Sequence, residues 1–239
     1  MKALILAAGR GTRLQHLTRG RPKCLVDING RCLIDYQLDA LSSAGVTDIC
    51  VVTGYRSRDV RDYLRGRVDV LINERYAETN SLYSMWLARH AFTIEEFILL
   101  NGDIIIDCDL MGRLVRTPGC ASLVDTDKPL RDGEMNVVIR DGRIVRFSKD
   151  VPAAEAHAES VQITKFDTVA APLLFARAGE LIESGELTQF PAAAYTPLLE
   201  RRLMQPVGTG GAPCFEIDTV ADYETCCRDL AAGRGTHRE

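Results

Sequence analysis

MKALILAAGRGTRLQHLTRGRPKCLV, residues 1–26, runs from an apolar stretch at 3–6 into a loop that holds Gly9, Gly11 and five basic side chains, Arg10, Arg13, Arg19, Arg21 and Lys23. A short apolar run closed by glycines reads as a buried strand followed by a turn. Gly9 and Gly11 let backbone N–H groups turn toward a ligand, and the cations offset charge, which together are what a polyphosphate requires. A glycine-rich turn with solvated arginines fits the same spacing. Two familiar phosphate loops do not fit. The dinucleotide fingerprint needs glycine where Leu14 stands, and no Gly-Lys-Ser/Thr occurs in the chain.

Outward from this strand the pattern repeats. Apolar runs at 49–52, 68–72 and 97–100 read as further buried strands, with helical spacing at about 33–44, 57–65, 80–91 and 109–116. Such alternation predicts an α/β fold with a mostly parallel central sheet and helices on both faces, ligands gathering beyond the carboxyl ends of the strands. After residue 117 the pattern changes. Val137–Arg140 and Arg143–Phe147 flank Asp141-Gly142, a strong hairpin signal, so a small antiparallel element is expected within an insertion at about 128–165. Residues 150–161 read as a loop or frayed helix, 168–176 as a strand, and 177–184, 191–204 and 219–232 as helices. The expected organisation is one domain over 1–232 and a flexible tail over 233–239.

Composition bounds the possibilities. With 239 residues, 46% of them apolar, and a net charge of -4, the chain is long enough for a sizeable core. It offers no broad electrostatic attraction to nucleic acid or an anionic membrane, so no partner of either kind is expected. No apolar run approaches the roughly 20 residues of a membrane span, and the chain passes from Met1 straight into a strand, so a cytoplasmic protein is expected. Eight cysteines form no Cys-x-x-Cys pair and several lie in apolar stretches, which predicts reduced, mostly buried thiols. The four histidines are unclustered and are not candidates for catalysis. Homo-oligomerisation is left open.

FILLNGDIIID, residues 97–107, places Asp103 just past a buried strand, where the cleft of a parallel sheet should lie. FEIDTVADY, residues 215–223, places Asp218 at a strand-to-helix junction, where a carboxylate is equally an ordinary N-cap. Beside a triphosphate loop the pair makes sense as ligands of Mg²⁺, which commonly takes one or two carboxylates with phosphate oxygens and water. Glu216 either assists the metal or the acceptor or is an exposed strand carboxylate. Lys149, after the hairpin, is by position a solvated edge residue.

The stretch Leu6–Leu14 with Arg21-Pro22-Lys23-Cys24-Leu25 resembles the signature of nucleotidylyltransferases acting on sugar phosphates and related small phosphates. The resemblance implies that Arg13 holds the departing pyrophosphate and that Lys23 contacts the α-phosphate and the acceptor phosphate. It also implies that backbone around Ala7, Ala8 and Gly9 touches the base, with Gly11 and Thr12 in the loop that wraps the triphosphate. Asp103 also counts among the nucleotide contacts, and Asp103 and Asp218 correspond to the metal ligands. The pattern Met135-Asn136-Val137, Asp141-Gly142-Arg143-Ile144, Lys149 is similar to the one carrying the family's second phosphate-binding lysine. Residues 73–90 and 215–223 resemble bacterial choline-phosphate cytidylyltransferases and relatives acting on inositol phosphate or phosphonates. CTP is therefore the favoured nucleotide, with Asn80 the candidate for base or ribose and Lys149, Glu216 and Tyr195 for the acceptor. In Ala158–Ile163 relatives often carry glycines that this chain lacks, and no carboxylate precedes Tyr195, so choline specificity does not follow.

The chemistry implied is in-line attack by an already ionised phosphate or phosphonate on the α-phosphorus of CTP, with pyrophosphate leaving and no general base required. A sugar-1-phosphate uridylyl-, thymidylyl- or guanylyltransferase is the nearest alternative. A nucleotide-sugar glycosyltransferase, suggested only by the Asp-x-Asp pairs 107/109 and 125/127, and a non-catalytic nucleotide sensor are the alternatives of other classes.

Overall fold

The computed structural model describes residues 1–234, the side chains of Gln15 and His16 excepted; of the expected tail, Thr236 and its neighbours 235–239 lie outside the described residues. Strand β1 (Lys2–Ala7) leads through two 3-10 turns, Thr12–Thr18 and Lys23–Leu25, into a minimal hairpin of β2 (Asp27–Ile28) and β3 (Arg31–Cys32) and then helix α1 (Leu33–Ser43). There follow β4 (Asp48–Thr53), α2 (Ser57–Leu64), β5 (Asp69–Ile72), α3 (Ser81–Leu87) and α4 (Arg89–Phe92). Next come β6 (Phe97–Asn101), β7 (Ile104–Ile106), α5 (Cys108–Arg116) and β8 (Ala121–Asp125). The second half comprises the hairpin β9 (Asn136–Arg140) and β10 (Arg143–Ser148), then β11 (Ala158–Phe166), α6 (Ala170–Glu183), α7 (Thr196–Glu200), β12 (Gln205–Gly208), β13 (Cys214–Glu216) and α8 (Val220–Ala231).

The expected sheet is present. β5, β4, β1 and β6 run parallel in that spatial order, each bonded to its neighbour. β11 then joins β6 antiparallel and carries β8 and the β9–β10 hairpin, while β12 pairs parallel with β8. Consecutive residues of β1 pack into opposite layers, Leu4 and Leu6 on one side and Ala3 and Ile5 on the other, as the period of two requires for a strand covered on both faces. On the first side α3 and α6 close over Phe92, Phe97, Phe166 and Phe175, whose rings lie 5.1–5.7 Å from Phe97. On the other, α1 and α5 bring Ile34, Leu41, Leu110 and Leu114 against Ile5, Val51 and Ile98. A smaller cluster, with Leu14, Val26, Ile28, Ile217 and Cys226, seats α8 against the opening loop.

Three expectations are corrected. The segment read as a loop or frayed helix at 150–161 ends in β11, an interior strand bonded to β6, β8 and β9. Its Ala, Glu, Ser and Gln content carries no strand signal; pairing on both edges imposes the conformation. The strand expected at 168–176 is the start of α6. There Asp167 Oδ1 accepts from the amides of Val169 (3.1 Å) and Ala170 (2.7 Å), and Pro172 falls in the first turn, where no amide is needed. The buried positions Ala170, Ala171, Leu174, Phe175 and Ala178 follow helical spacing. The helix expected over 191–204 is a 3-10 turn, Pro191–Tyr195, followed by α7, and the chain turns into β12 from Gln205. All eight cysteines are free, four buried and four partly buried. Among the described residues no helix is long and apolar enough to cross a membrane.

Candidate active site

β1 has β4 on one side and β6 on the other, so the chain leaves the sheet in opposite directions around its carboxyl end, and a crevice opens there. The crevice is a cleft of about 320 Å³ lined by the opening loop, the turn after β6, the start of α3 and the segment after β13. Two glycines make it possible. Gly11 has φ +65, and a β-carbon on it would come within 2.8 Å of Lys23 Cβ; the lysine stem passes where only a glycine leaves room. A β-carbon on Gly102 would meet Ala7 Cβ at 2.7 Å, so Gly102 lets the turn bearing Asp103 fold flat against β1.

That turn is held from below. Gln37 of α1, fully buried, donates to the carbonyls of Asn101 (2.7 Å) and Ile104 (2.8 Å), one on each side of Asp103. The Asp103 carbonyl accepts from Ile217 N at 2.9 Å and ties the two acidic segments together. Asp218 does not serve as the N-cap that its position allows. Thr219 caps α8 in a capping box with Asp222, which leaves the Asp218 carboxylate to face the cleft.

The charged groups converge there. Lys23 Nζ lies 2.7 Å from Asp103 Oδ2 and 2.6 Å from Asp218 Oδ1, and Arg13, mostly exposed, lies 2.9 Å from Asp218 Oδ2. One carboxylate oxygen each from Asp103, Glu216 and Asp218 falls within 4.8 Å of the others. Asp103 Oδ1 is buried with no hydrogen-bond partner, an acceptor left over after Lys23 is satisfied. A set of hard oxygen donors with one unpaired fits a divalent cation. Burial opposes the Lys23 ammonium, but Asp103 and Asp218 outweigh it and hold its pKa above the usual lysine value. Burial, and then the charges of Asp103 and Asp218, push the Glu216 carboxyl up to about 7.

Of the residues expected from the sequence, Ala8, Gly9, Gly11, Thr12, Arg13, Lys23, Asn80, Asp103, Lys149, Glu216 and Asp218 line this one cleft. Lys149 reaches it from the end of β10, its ammonium 5.3 Å from the centre of the Phe190 ring. Three expectations change in detail. Leu6 rather than Ala7 lines the cleft, since Ala7 still belongs to β1 and packs under Gly102. Asn80 is committed as the cap of α3, accepting from Ser81 N at 2.7 Å and donating to Thr188 O at 3.1 Å. Tyr195 is buried in the core against Phe147 and Phe166, and lines a small apolar cavity beside the cleft instead.

Sequence reasoning missed Asn73, Asn101 and Gln162. Buried Asn73 donates to Thr79 Oγ1 (3.1 Å) and Ser84 Oγ (3.0 Å) and so shapes the segment before α3; a lone asparagine after a strand gives no such signal. Asn101 Nδ2 donates to Gln162 Oε1, and Gln162 Nε2 to Glu216 Oε1, both at 3.0 Å. The missing glycines in Ala158–Ile163 were the available hint. The Asp-x-Asp pairs have local duties: Asp107 Oδ1 caps α5, and Asp125 Oδ1 accepts from Asp127 N and Lys128 N in a turn.

Residues 3–184 match the model of the MobA-like NTP transferase domain. The chain is 33% identical over 187 residues to the CTP:phosphoglutamine cytidylyltransferase of Campylobacter jejuni, covering 70% of this chain and 73% of that one. It is 43% identical over 111 residues to the choline-phosphate cytidylyltransferase of Streptococcus pneumoniae, 46% of this chain and 44% of the relative. In fold it resembles the solved CTP:phosphocholine cytidylyltransferase of Streptococcus pneumoniae, with a TM-score of 0.80, 23% identity, and 96% and 98% of the two chains covered.

Proposed function

Because the chain belongs to the MobA-like NTP transferase domain family and is a nucleotidyltransferase, we propose that it transfers CMP from CTP to a small phosphate or phosphonate acceptor and releases pyrophosphate, residues 1–232 acting as one domain. The observation that carries this reading is the placement of Lys23 between Asp103 and Asp218, with Arg13 beside it on the same glycine loop. A triphosphate needs cations over its chain and a divalent ion over its oxygens, and this cleft holds candidates for both. CTP is supported by the nucleotide in the names of the relatives.

The acceptor arrives already ionised at neutral pH, so no residue has to remove a proton. Its oxygen forms the new bond to the α-phosphorus as the bond to the bridging oxygen of pyrophosphate breaks, and the electron pair leaves with pyrophosphate. Lys23 offsets charge at the α-phosphate and on the acceptor, and Arg13, which reaches into solvent, holds the leaving pyrophosphate. Lys149, which lines the same cleft beside Phe190, draws the acceptor's anionic end into line. Asp103 and Asp218, with Glu216 in reach, would hold Mg²⁺, which when bound neutralises phosphate oxygens.

The reading is tested by incubating the protein with each of CTP, UTP, dTTP and GTP against phosphocholine, phosphoethanolamine, 2-aminoethylphosphonate and sugar 1-phosphates, with Mg²⁺, and measuring pyrophosphate. Acceptor-dependent release from CTP supports it. Release from another nucleotide with a sugar phosphate replaces the cytidylyl assignment by a sugar-nucleotide one, and binding without any release makes the protein a sensor.

A further inference from the structure

One side chain in the wall of the cleft has no part in the chemistry above. Gln162 lies within β11 at φ +58, a backbone region that side-chain-bearing residues rarely adopt. The register of β11 against β8 shifts between Ser160 and Thr164, so the residue sits at a bulge, the kind of irregularity that re-aims a side chain. The bulge is braced by Gln162 N donating to Ser160 Oγ at 2.9 Å. The re-aimed carboxamide is fixed at both ends, its oxygen accepting from Asn101 Nδ2 and its nitrogen donating to Glu216 Oε1, each at 3.0 Å.

Gln162 also stands where two spaces meet. The charged cleft and the apolar cavity that contains Tyr195 share Asn101, Gln162 and Phe190 in their walls. The rest of the smaller space is apolar, with Leu99, Met135 and Phe147 among its lining. Its volume of about 20 Å³ admits roughly one water molecule. Nothing larger than that enters beside the amide as it is held. Glycine is the residue the backbone there favours, and the conformation is offset by what the side chain does in the site.

We infer that Gln162 is a specificity-determining residue: clamped between Asn101 and Glu216, it walls the apolar cavity off from the cleft and confines the acceptor to phosphates or phosphonates with a short organic part. The inference rests on the reading of the cleft as a nucleotidyl-transfer site. Removing the side chain joins the two spaces and offers an extended carbon chain the surfaces of Met135, Phe147, Phe190 and Tyr195.

The test compares wild type, Gln162→Gly and Gln162→Asn for kcat/KM with ethyl phosphate and hexyl phosphate as acceptors, CTP and Mg²⁺ being saturating and pyrophosphate the readout. Glycine suits the backbone angle and asparagine tolerates it, so neither variant adds strain. Opening the wall should raise the hexyl-to-ethyl ratio by about tenfold or more in Gln162→Gly, the discrimination typical of added methylenes in an apolar pocket. Gln162→Asn, with one methylene fewer, should fall between. The change should lie in the acceptor's KM rather than in that of CTP, a split that general loosening of the fold does not produce. A ratio unchanged in both variants, with an active wild type, overturns the inference while leaving the transfer reading intact. A wild type that releases no pyrophosphate from CTP with any compact acceptor overturns the transfer reading and this inference with it.

Discussion

Lys23→Ala removes the one ammonium that bridges Asp103 and Asp218, and its consequences run in two directions. The contacts of 2.7 and 2.6 Å involve side chains that are 14% (Lys23), 21% (Asp103) and 23% (Asp218) exposed. Breaking a fully buried pair costs about 3–5 kcal/mol; solvent access at these exposures cuts the loss to about 2–3 kcal/mol. For a chain of this length that lowers Tm by about 4–12 °C. In the metal-free variant three carboxylates, Asp103, Glu216 and Asp218, share a space without their cation. Mg²⁺ then no longer competes with an internal ammonium, so it should stabilise the variant more than the wild type, each tenfold gain in affinity adding about 1.4 kcal/mol. Turnover should nevertheless fall by about 10²–10³-fold, since the charge proposed to face the transferred phosphate is gone. Thermal unfolding in EDTA and in Mg²⁺, with pyrophosphate release as the activity assay, reads all three. Equal Mg²⁺-induced shifts in both proteins would refute the reading that Lys23 occupies the cation site between Asp103 and Asp218, and retained turnover would refute its proposed role at the transferred phosphate.

Gly11→Ala forces a side chain into a left-handed position at a cost of about 1–2 kcal/mol and pushes on Lys23 Cβ, so Tm should drop and the KM for nucleotide should rise; an unchanged KM would show that the lysine stem is not held by this glycine. Lys149→Ala should raise KM for the acceptor and leave that for CTP nearly untouched, whereas a loss confined to CTP affinity would move Lys149 to the nucleotide side. Glu216 has its pKa raised from 4.5 to about 7, so the folded state binds its proton more tightly than the unfolded chain. The stabilisation is fully present below about pH 4.5 and is lost as pH rises through about 7, amounting to about 1–2 kcal/mol after allowance for solvent. In EDTA, chemical denaturation across that window should show the decline in wild type and a flatter profile in Glu216→Gln; parallel profiles would mean that another group titrates.

The parallel half of the fold is legible because each of its strands carries a short, largely apolar run and the segments between them have helical spacing. β11 was not, because Ala158–Phe166 spends its polar residues on specific partners: Thr164 bonds Ser122 at 2.9 Å, and Lys165 caps the carbonyls of Val115 and Thr117. The segment 168–176 reads as a strand for the opposite reason: it is an apolar run, and the aspartate before it, Asp167, is the cap that makes it a helix. The charged residues of the site announced themselves through the opening loop and the acids after β6 and β13. The amides did not. Gln37, Asn73, Asn101 and Gln162 act through partners 6 to 67 positions away in the chain, and local pattern carries no trace of such pairings.

The most direct measurement follows the label from CTP carrying ³²P at the α- or the γ-phosphate during turnover with a compact phosphate or phosphonate acceptor. Attack at the innermost phosphorus predicts that the α-label enters the acceptor product and the γ-label leaves as pyrophosphate, in equal amounts. Transfer of the γ-label to the acceptor, or its release as orthophosphate, would contradict the account.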